Sequence, residues 1–242
     1  MSKLEVYIKQ VRELVVEANS TLYDSGVDIY EDFVRRALRK YSIDKPFIKV
    51  SGVTGTSSEY ITIDSTNFPG FVDHWSSIEK IEAKAPTVSK NDDPNFIERD
   101  EWEFYRNAST YYVHFIGYCP SSSDTVTFTY TVPHTIDNLD DETTDTIPAV
   151  DQEAIVLWAA NEACRMLASK YAGTSDPTIR ADVVNYRTRS SEYRTMAKEF
   201  REAYMDWISN PVKAGGIVRD IDFGFGFGDN QPFLTHRSFS RK

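Results

Sequence analysis

Four histidines are the side chains of this chain best suited to bind a metal ion or to transfer a proton. They stand at positions 74, 114, 134 and 236, and no cysteine or carboxylate pair lies at ligand spacing from any of them. His114 falls on the face of a predicted strand opposite Val113 and Phe115, which favours a solvated or core-edge histidine over a ligand or a base. The histidine pattern therefore predicts neither a metal site nor a cofactor.

A run of carboxylates between residues 137 and 145 is the other candidate for cation binding. These acids could hold a calcium ion weakly, but the run lacks the glycine and the distal glutamate of a calcium-binding loop. A solvated acidic linker is the favoured interpretation. The acids in question are Asp140, Asp141, Glu142 and Asp145.

Two short motifs resemble nucleotide-binding sequences but lack the residues on which those sequences depend. Asp222-Phe223-Gly224 copies the magnesium triplet of protein kinases without a glycine-rich loop, a strand lysine or a catalytic-loop aspartate. The segment 52–58 has no lysine to reach a phosphate and no helix after it, so we predict a hairpin turn there. No serine lies in a nucleophile elbow. We expect no catalytic residues, and a protein that is not an enzyme.

The remaining candidate residues are ones that could bind another protein chain, and they are concentrated in residues 211–242. Glycines let backbone pack closely on a partner, and phenylalanines can fill its pockets. Chain ends are commonly disordered, but disordered segments are poor in aromatic residues, which favours docking on another chain here. Basic residues could pair with acids of that partner. The residues expected to make the contact are Phe223, Phe225, Phe227, Phe233, Leu234, His236, Arg237, Phe239 and Arg241.

Charge and composition narrow the possible partners. The chain has 242 residues and a formal net charge of −10, which argues against gripping nucleic acid by its phosphates but allows DNA to pass close by. No stretch approaches the roughly 20 apolar residues of a membrane span, and the N-terminus has the pattern of an amphipathic helix instead of a signal peptide. Cys119 and Cys164 lack disulfide spacing, so we interpret both as buried thiols of a protein made in the cytosol.

Helical periodicity marks the two ends of the chain, whereas the middle alternates with a period of two. Residues 2–20 and 28–41 are predicted helices, and 151–172 and 177–208 are predicted to form a long helical hairpin. Turn clusters bound the candidate strands between them. These strands are Phe47–Val50, Tyr60–Ile63, Ile78–Ala85, Glu101–Tyr105, Tyr111–Ile116 and Thr125–Val132.

Both helices of the predicted hairpin carry residues at alternating four-three spacing, as in a coiled-coil seam. Small residues such as Ala159, Ala160 and Ala163 permit close approach of a neighbouring helix. A hairpin with apolar or small residues on more than one face can supply a self-interface. The residues predicted for that self-interface are Leu157, Asn161, Cys164, Tyr186, Tyr193 and Phe200.

These elements predict an α+β fold. A helical core, made of the N-terminal helix pair and the C-terminal hairpin, would carry an inserted antiparallel β-sandwich or barrel-like domain and an extended C-terminal tail. The predicted units are the helix pair 1–46, the β-rich domain 47–133, the acidic linker 134–150, the hairpin 151–210 and the tail 211–242.

The order of segments over roughly 125–240 resembles the head-to-tail adaptor, or connector, proteins of tailed bacteriophages. The resemblance rests on Tyr130-Thr131-Val132-Pro133-His134-Thr135, an acidic spacer, Ile147-Pro148-Ala149-Val150, an alanine-rich helix ending at Tyr171-Ala172, and the stretch from Ala181 to Tyr204. It implies a helical protein that forms a ring, typically dodecameric, beneath the phage portal protein, with C-terminal ends entering portal clefts.

Mapped onto this chain, the resemblance implies that the hairpin lines the ring and that 211–242 anchors it to the portal. The next neck or tail protein, a stopper, tail tube or terminator, would dock on the ring, and genome DNA would pass through without tight binding. The implied location is the virion neck, after assembly in the host cytoplasm.

Two alternatives remain open. One is another neck or tail-completion component, such as a stopper, which would share the ring but would not insert a tail into a portal. The other is a binding module in which the β-rich domain recognises carbohydrate or protein. Its exposed aromatic residues would include Trp75, Trp102, Tyr111 and Tyr112.

Overall fold

A computed structural model describes residues 2–15, 29–83, 96–108, 110–173 and 186–209. The described residues form helices and antiparallel strands, which confirms the predicted α+β class. The helices are α1 (Lys3–Val15), α2 (Ile29–Asp44), α3 (Gln152–Gly173) and α4 (Tyr186–Ser209). The strands are β1 (Phe47–Thr54), β2 (Tyr60–Ile63), β3 (Ile78–Ala83), β4 (Trp102–Asn107), β5 (Thr110–Phe115) and β6 (Thr125–Val132).

Helix α1 begins at a reciprocal cap and buries one apolar stripe. The Glu5 backbone N–H donates to the Ser2 hydroxyl at 3.3 Å, and the Ser2 backbone N–H donates to the Glu5 carboxylate at 3.0 Å. This capping box satisfies backbone donors that the first turn of a helix leaves unpaired. The stripe consists of Leu4, Tyr7, Ile8, Val11 and Val15. The predicted continuation to residue 20 and the predicted helical residues 177–185 lie outside the described residues.

Helix α3 lies at the centre of the helical core, where it contacts α1, α2 and α4. Its small residues Ala154, Ala159, Ala160 and Ala163 are all buried, so the backbones of the neighbouring helices can approach α3 closely. Apolar residues on more than one face of α3 are thus accounted for by packing within a single copy of the chain.

The residues between β6 and α3 form a packed segment, in contrast to the solvated linker that their acidity predicted. Ile136, Leu139 and Ile147 are buried in the helical core. The Arg35 guanidinium binds the Asp140 carboxylate at 2.8 Å and lowers the pKa of that group. Apolar side chains interspersed among the acids are the physical reason that this segment packs.

Two separate antiparallel sheets face each other across a second core. The strand order is β1-β6-β3 in the first sheet and β2-β5-β4 in the second. Phe128 of the first sheet packs on Phe115 of the second, with ring centroids 6.4 Å apart, and both are fully buried. Of the two predicted arrangements, the sandwich agrees with the described residues, which contain no closed barrel.

Strand β1 runs through part of the predicted hairpin turn at 52–58. Gly52, Val53 and Thr54 pair with β6, and the turn begins only afterwards. A β-carbon on Gly52 would lie 3.1 Å from Thr125 Cγ2, and one on Gly55 would lie 2.2 Å from the Ser121 carbonyl oxygen. Both glycines therefore serve close packing against the β6 strand and the loop before it.

Candidate functional site

The residues predicted to contact a portal all lie in 211–242, outside the described residues. The structure therefore places none of Phe223, Phe225, Phe227, Phe233, Leu234, His236, Arg237, Phe239 and Arg241. What it does describe is the helical hairpin that leads to this segment, including the last turn of α4 at Ser209.

The antiparallel hairpin of α3 and α4 is joined by contacts along its length. Near one end, the Tyr171 and Tyr193 rings stack with centroids 5.5 Å apart and planes inclined by 3°. Close to this pair, the Ser190 hydroxyl donates to the Ala168 carbonyl at 2.8 Å. Toward the other end, Trp158 packs on the Tyr204 ring at 4.8 Å. Aromatic contacts at both ends hold the two helices in one register.

The predicted self-interface residues differ in how far they are buried. Asn161 and Cys164 are 2% and 0% exposed, so these two belong to the core and offer no surface to another subunit. The physical reason is that α1 and α2 cover this face of α3. A sequence pattern looks the same whether a helix face packs within one chain or against another subunit. Leu157, Tyr193 and Phe200 are half-buried against the same core. Tyr186 starts α4.

The carboxylate of Asp151 ties the end of α4 to α2. Asp151 is 1% exposed and accepts hydrogen bonds from the Tyr41 hydroxyl at 2.7 Å, Lys45 Nζ at 2.5 Å and Trp207 Nε1 at 3.2 Å. Burial alone raises the pKa of this carboxyl, but the three donors outweigh burial and leave the pKa below its ordinary value. Asp151 is therefore a buried anion held by three donors, from α2, from the residue after α2 and from α4.

A second carboxylate beside it extends the connection. Asp44 accepts a hydrogen bond from the Tyr204 hydroxyl at 2.6 Å and pairs with Lys40 at 2.5 Å. Burial and the bond to Asp44 raise the pKa of Tyr204 well above its ordinary value, so the phenol remains a donor. Lys40 also lies over the Trp158 ring, 5.6 Å from its centroid. The last two turns of α4 are thereby fixed to α2 and α3.

His134 joins the helical and β-rich parts and is fully engaged in doing so. Its Nε2 lies 3.0 Å from the Lys45 carbonyl and its Nδ1 lies 3.0 Å from the Thr146 hydroxyl. Its backbone N–H donates to the Ser42 hydroxyl at 3.0 Å. Burial lowers the pKa of the imidazole, which favours the neutral ring. These contacts give His134 a structural role at the junction.

A cleft of about 520 Å³ opens beside this junction. It is lined by side chains from α2, β1 and the 132–146 segment, among them Leu38, Phe47, Lys49, Val132 and His134. Lys49 Nζ donates to the Pro69 carbonyl at 3.1 Å, so this ammonium of the cleft lining has a hydrogen-bond partner within the chain. Within the described ranges, no three His, Cys, Asp or Glu residues are grouped so as to hold a metal ion.

The outer face of the second sheet carries an aromatic cluster that the sequence pattern did not single out. Tyr60, Tyr105, Tyr112 and His114 come from all three strands, and the Tyr60 and His114 rings stack at 4.5 Å. Cross-strand register is what brings them together, and only knowledge of the strand pairing could have found the set. We call these four residues the tyrosine face.

Two of the aromatic residues proposed for recognition lie outside the tyrosine face. Trp102 is 3% exposed inside the sandwich, with the Arg99 guanidinium 3.9 Å above its ring, so its expected exposure was wrong. Tyr111 is partly buried on the inward side of β5, opposite Ile63. Tyr112 lies on the outward side, as the binding-module alternative requires.

The cysteines differ in exposure. Cys164 is buried as predicted, whereas Cys119 is exposed, because the loop that precedes β6 lies at the surface. Both are free thiols.

No helix within the described ranges is long and apolar enough to cross a lipid bilayer. A scan against protein-family models and a search of curated protein sequences found no match to this chain.

Proposed function

We propose that this protein is a structural component of a tailed-bacteriophage virion, a head-to-tail adaptor that assembles as a ring beneath the portal. The observation that carries the proposal is the construction of the hairpin end. Tyr204 is held by the partly buried carboxylate of Asp44 and Trp207 by the buried carboxylate of Asp151, directly before the aromatic and basic segment 211–242. Because the end of α4 is held in place, the binding segment that follows it starts from a fixed position. This lowers the entropic cost of docking that segment on a partner.

The outer surface of α4 is the proposed site of contact between subunits. Helix α3 contacts the other three helices, whereas most residues on the outer side of α4 are exposed, so a neighbouring copy can reach the hairpin through α4. Exposed residues of both signs follow one another along α4, including Arg194, Lys198, Glu199 and Glu202. A surface of mixed charge suits the head-to-tail contact of a ring, in which two different patches meet.

The proposed partners are the portal protein on one side of the ring and a neck or tail protein on the other. Genome DNA would pass through the ring, and the net charge of −10 supports a passage that does not adhere to it. The proposed location is the neck of the virion.

Native mass spectrometry of the protein with and without portal rings tests the proposal. We expect monomers or weak oligomers alone and a complete ring on the portal, because many weak contacts add up when a template holds the copies together. A single bound copy per portal ring would contradict the adaptor hypothesis. The same ring without any portal affinity would favour the alternative of a stopper or tail-completion protein.

A binding-module function of the β-rich domain is the second candidate, and the tyrosine face is the observation that favours it. Tyr60 is 38% and Tyr105 is 43% exposed, and their rings are adjacent, so together they present aromatic surface to solvent. The two functions are compatible, since an adaptor needs a surface for each neighbour.

A further inference from the structure

The side chains of the tyrosine face are suited to one class of ligand. We propose that it is a docking site for a cationic side chain, arginine or lysine, presented by a protein partner. The inference concerns the β-rich domain alone and holds whether or not the chain is a phage adaptor.

The strand register defines which side chains lie on this face. Tyr60 and Glu103 flank His114 in one row, and Tyr105 is opposite Tyr112 in the next. The other outward positions are Thr62, Asn107 and Thr110, so the register places no lysine or arginine on this side of the described sheet. The face is therefore aromatic and acidic.

The rings are inclined to one another and do not form a flat platform. Tyr60 is inclined by 58° to Tyr105 and by 84° to Tyr112, while Tyr105 and Tyr112 are inclined by 42°. Their centroids lie 5.6, 6.2 and 6.4 Å apart. A sugar ring needs a flat aromatic surface to stack on, whereas a compact cation is stabilised by several inclined rings at once, as in aromatic cages.

Two carboxylates provide the complementary charge. Glu103 Oε1 lies 3.0 Å from His114 Nδ1, and Glu59 Oε2 lies 3.7 Å from His114 Nε2. Their side chains are 57% and 51% exposed, which leaves oxygen atoms open to solvent. One histidine, whichever its protonation state, does not balance two carboxylates, so the face attracts a cation and repels nucleic acid.

The outer face of the other sheet provides an internal contrast. Its central strand places Thr127 and Thr129 outward, and the neighbouring β3 adds Lys80 and Glu82. That face holds no cluster of tyrosines at its described positions, although both sheets belong to the same sandwich. Strand propensity alone therefore does not explain why three tyrosines meet on one side.

Aromatic NMR of the full-length protein, labelled on tyrosine and histidine, tests the proposal. The probe is an acetylated peptide of alternating arginine and glycine, and the control peptide carries citrulline in place of arginine. We expect the arginine peptide to shift the resonances of Tyr60, Tyr105, Tyr112 and His114, and added salt to weaken binding. The citrulline peptide should leave them unchanged.

Matched variants separate charge from folding. Glu59→Gln with Glu103→Gln should weaken peptide binding by about fivefold or more, because each lost contact with a cation is worth a factor of a few. Glu79→Gln with Glu82→Gln makes the same charge change on the other sheet and should leave affinity unchanged. Tyr60→Phe keeps the ring and should bind normally, whereas Tyr60→Leu should bind more weakly.

Equal shifts with the citrulline peptide would overturn the proposal, as would equal weakening by the two double variants. Shifts of the same four residues with chitohexaose or maltohexaose, but not with the arginine peptide, would replace it by a carbohydrate site. Shifts that depend on protein concentration without any peptide would assign the face to a second copy of this chain.

Discussion

At the scale of single residues, Asp151 is the side chain that connects several parts of the helical core. It lies at the first turn before α3 and accepts hydrogen bonds from α2, from Lys45 after it and from α4. Removing one partner of a buried ion pair is costly because the other remains desolvated. Lys45 keeps 29% of its side chain exposed, which reduces that cost.

We expect Asp151→Asn to lower the free energy of unfolding by about 2–3 kcal/mol, measured by urea denaturation. The exposed neighbour Glu153→Gln is the matched control and should change it by less than about 0.5 kcal/mol. Because the pKa of Asp151 is lower in the folded state, its contribution is complete above the unfolded pKa and is lost as pH falls through the folded pKa. The difference in stability between the two proteins should therefore begin to shrink below about pH 4 and keep shrinking as the pH falls through the folded pKa; a constant difference down to pH 2 would contradict this role.

The cysteines allow a second residue-scale prediction. Burial raises the pKa of the Cys164 thiol to about 12, whereas Cys119 is exposed. Only the thiolate reacts readily, so an Ellman assay at pH 8 should titrate one thiol in the native protein and two in urea. Cys119→Ser should abolish the native reaction. Rapid reaction of that variant would mean that the α3 core opens frequently.

At the scale of elements, α3 owes its central position to its small residues. Ala160 is fully buried among the helices, while Ala203 is exposed on α4. Ala160→Leu should lower the unfolding free energy by about 1–3 kcal/mol because the extra methyl groups force the helices apart. Ala203→Leu adds the same atoms in water and should change it by less than about 0.5 kcal/mol. Circular dichroism during urea unfolding measures both; equal effects would contradict the enclosed position of α3.

At the scale of the whole molecule, the hairpin end and the segment after it have separable tasks. Deletion of 217–242 should leave the unfolding transition unchanged, since the contacts of Tyr204 and Trp207 complete the described core. It should abolish attachment to DNA-filled heads if 211–242 is the portal anchor. A sedimentation assay with purified heads, with the intact chain as control, compares the two. Normal attachment of the truncated protein would move the portal contact to the hairpin surface.

The net charge leads to a second prediction at this scale. With a formal charge of −10, the full-length protein should show no salt-sensitive DNA affinity in fluorescence anisotropy at low ionic strength. A basic DNA-binding domain serves as the positive control. Tight binding whose logarithm falls steeply with salt concentration would contradict a passive channel.

Periodicity by itself determined much of the fold. The strand bounds 60–63 and 125–132 match β2 and β6, and the helices fall within or close to their predicted ranges. These features depend on side-chain alternation along a few neighbouring residues, which a sequence displays directly. The charge balance and the aromatic, basic character of 211–242 are likewise properties of composition.

Only the tertiary structure determined which surfaces of the described elements are exposed and which are covered. The seam through Asn161 and Cys164 has the same spacing whether it meets α1, α2 or another copy, and the described packing buries it within one chain. The hydrogen bond between Tyr204 and Asp44 joins residues 160 positions apart, and the one between Trp207 and Asp151 joins residues 56 positions apart. The tyrosine face likewise depends on the β2-β5-β4 order. The spacing of residues along one helix or strand shows which residues share a face. What covers that face is determined only by how elements distant in the sequence pack together.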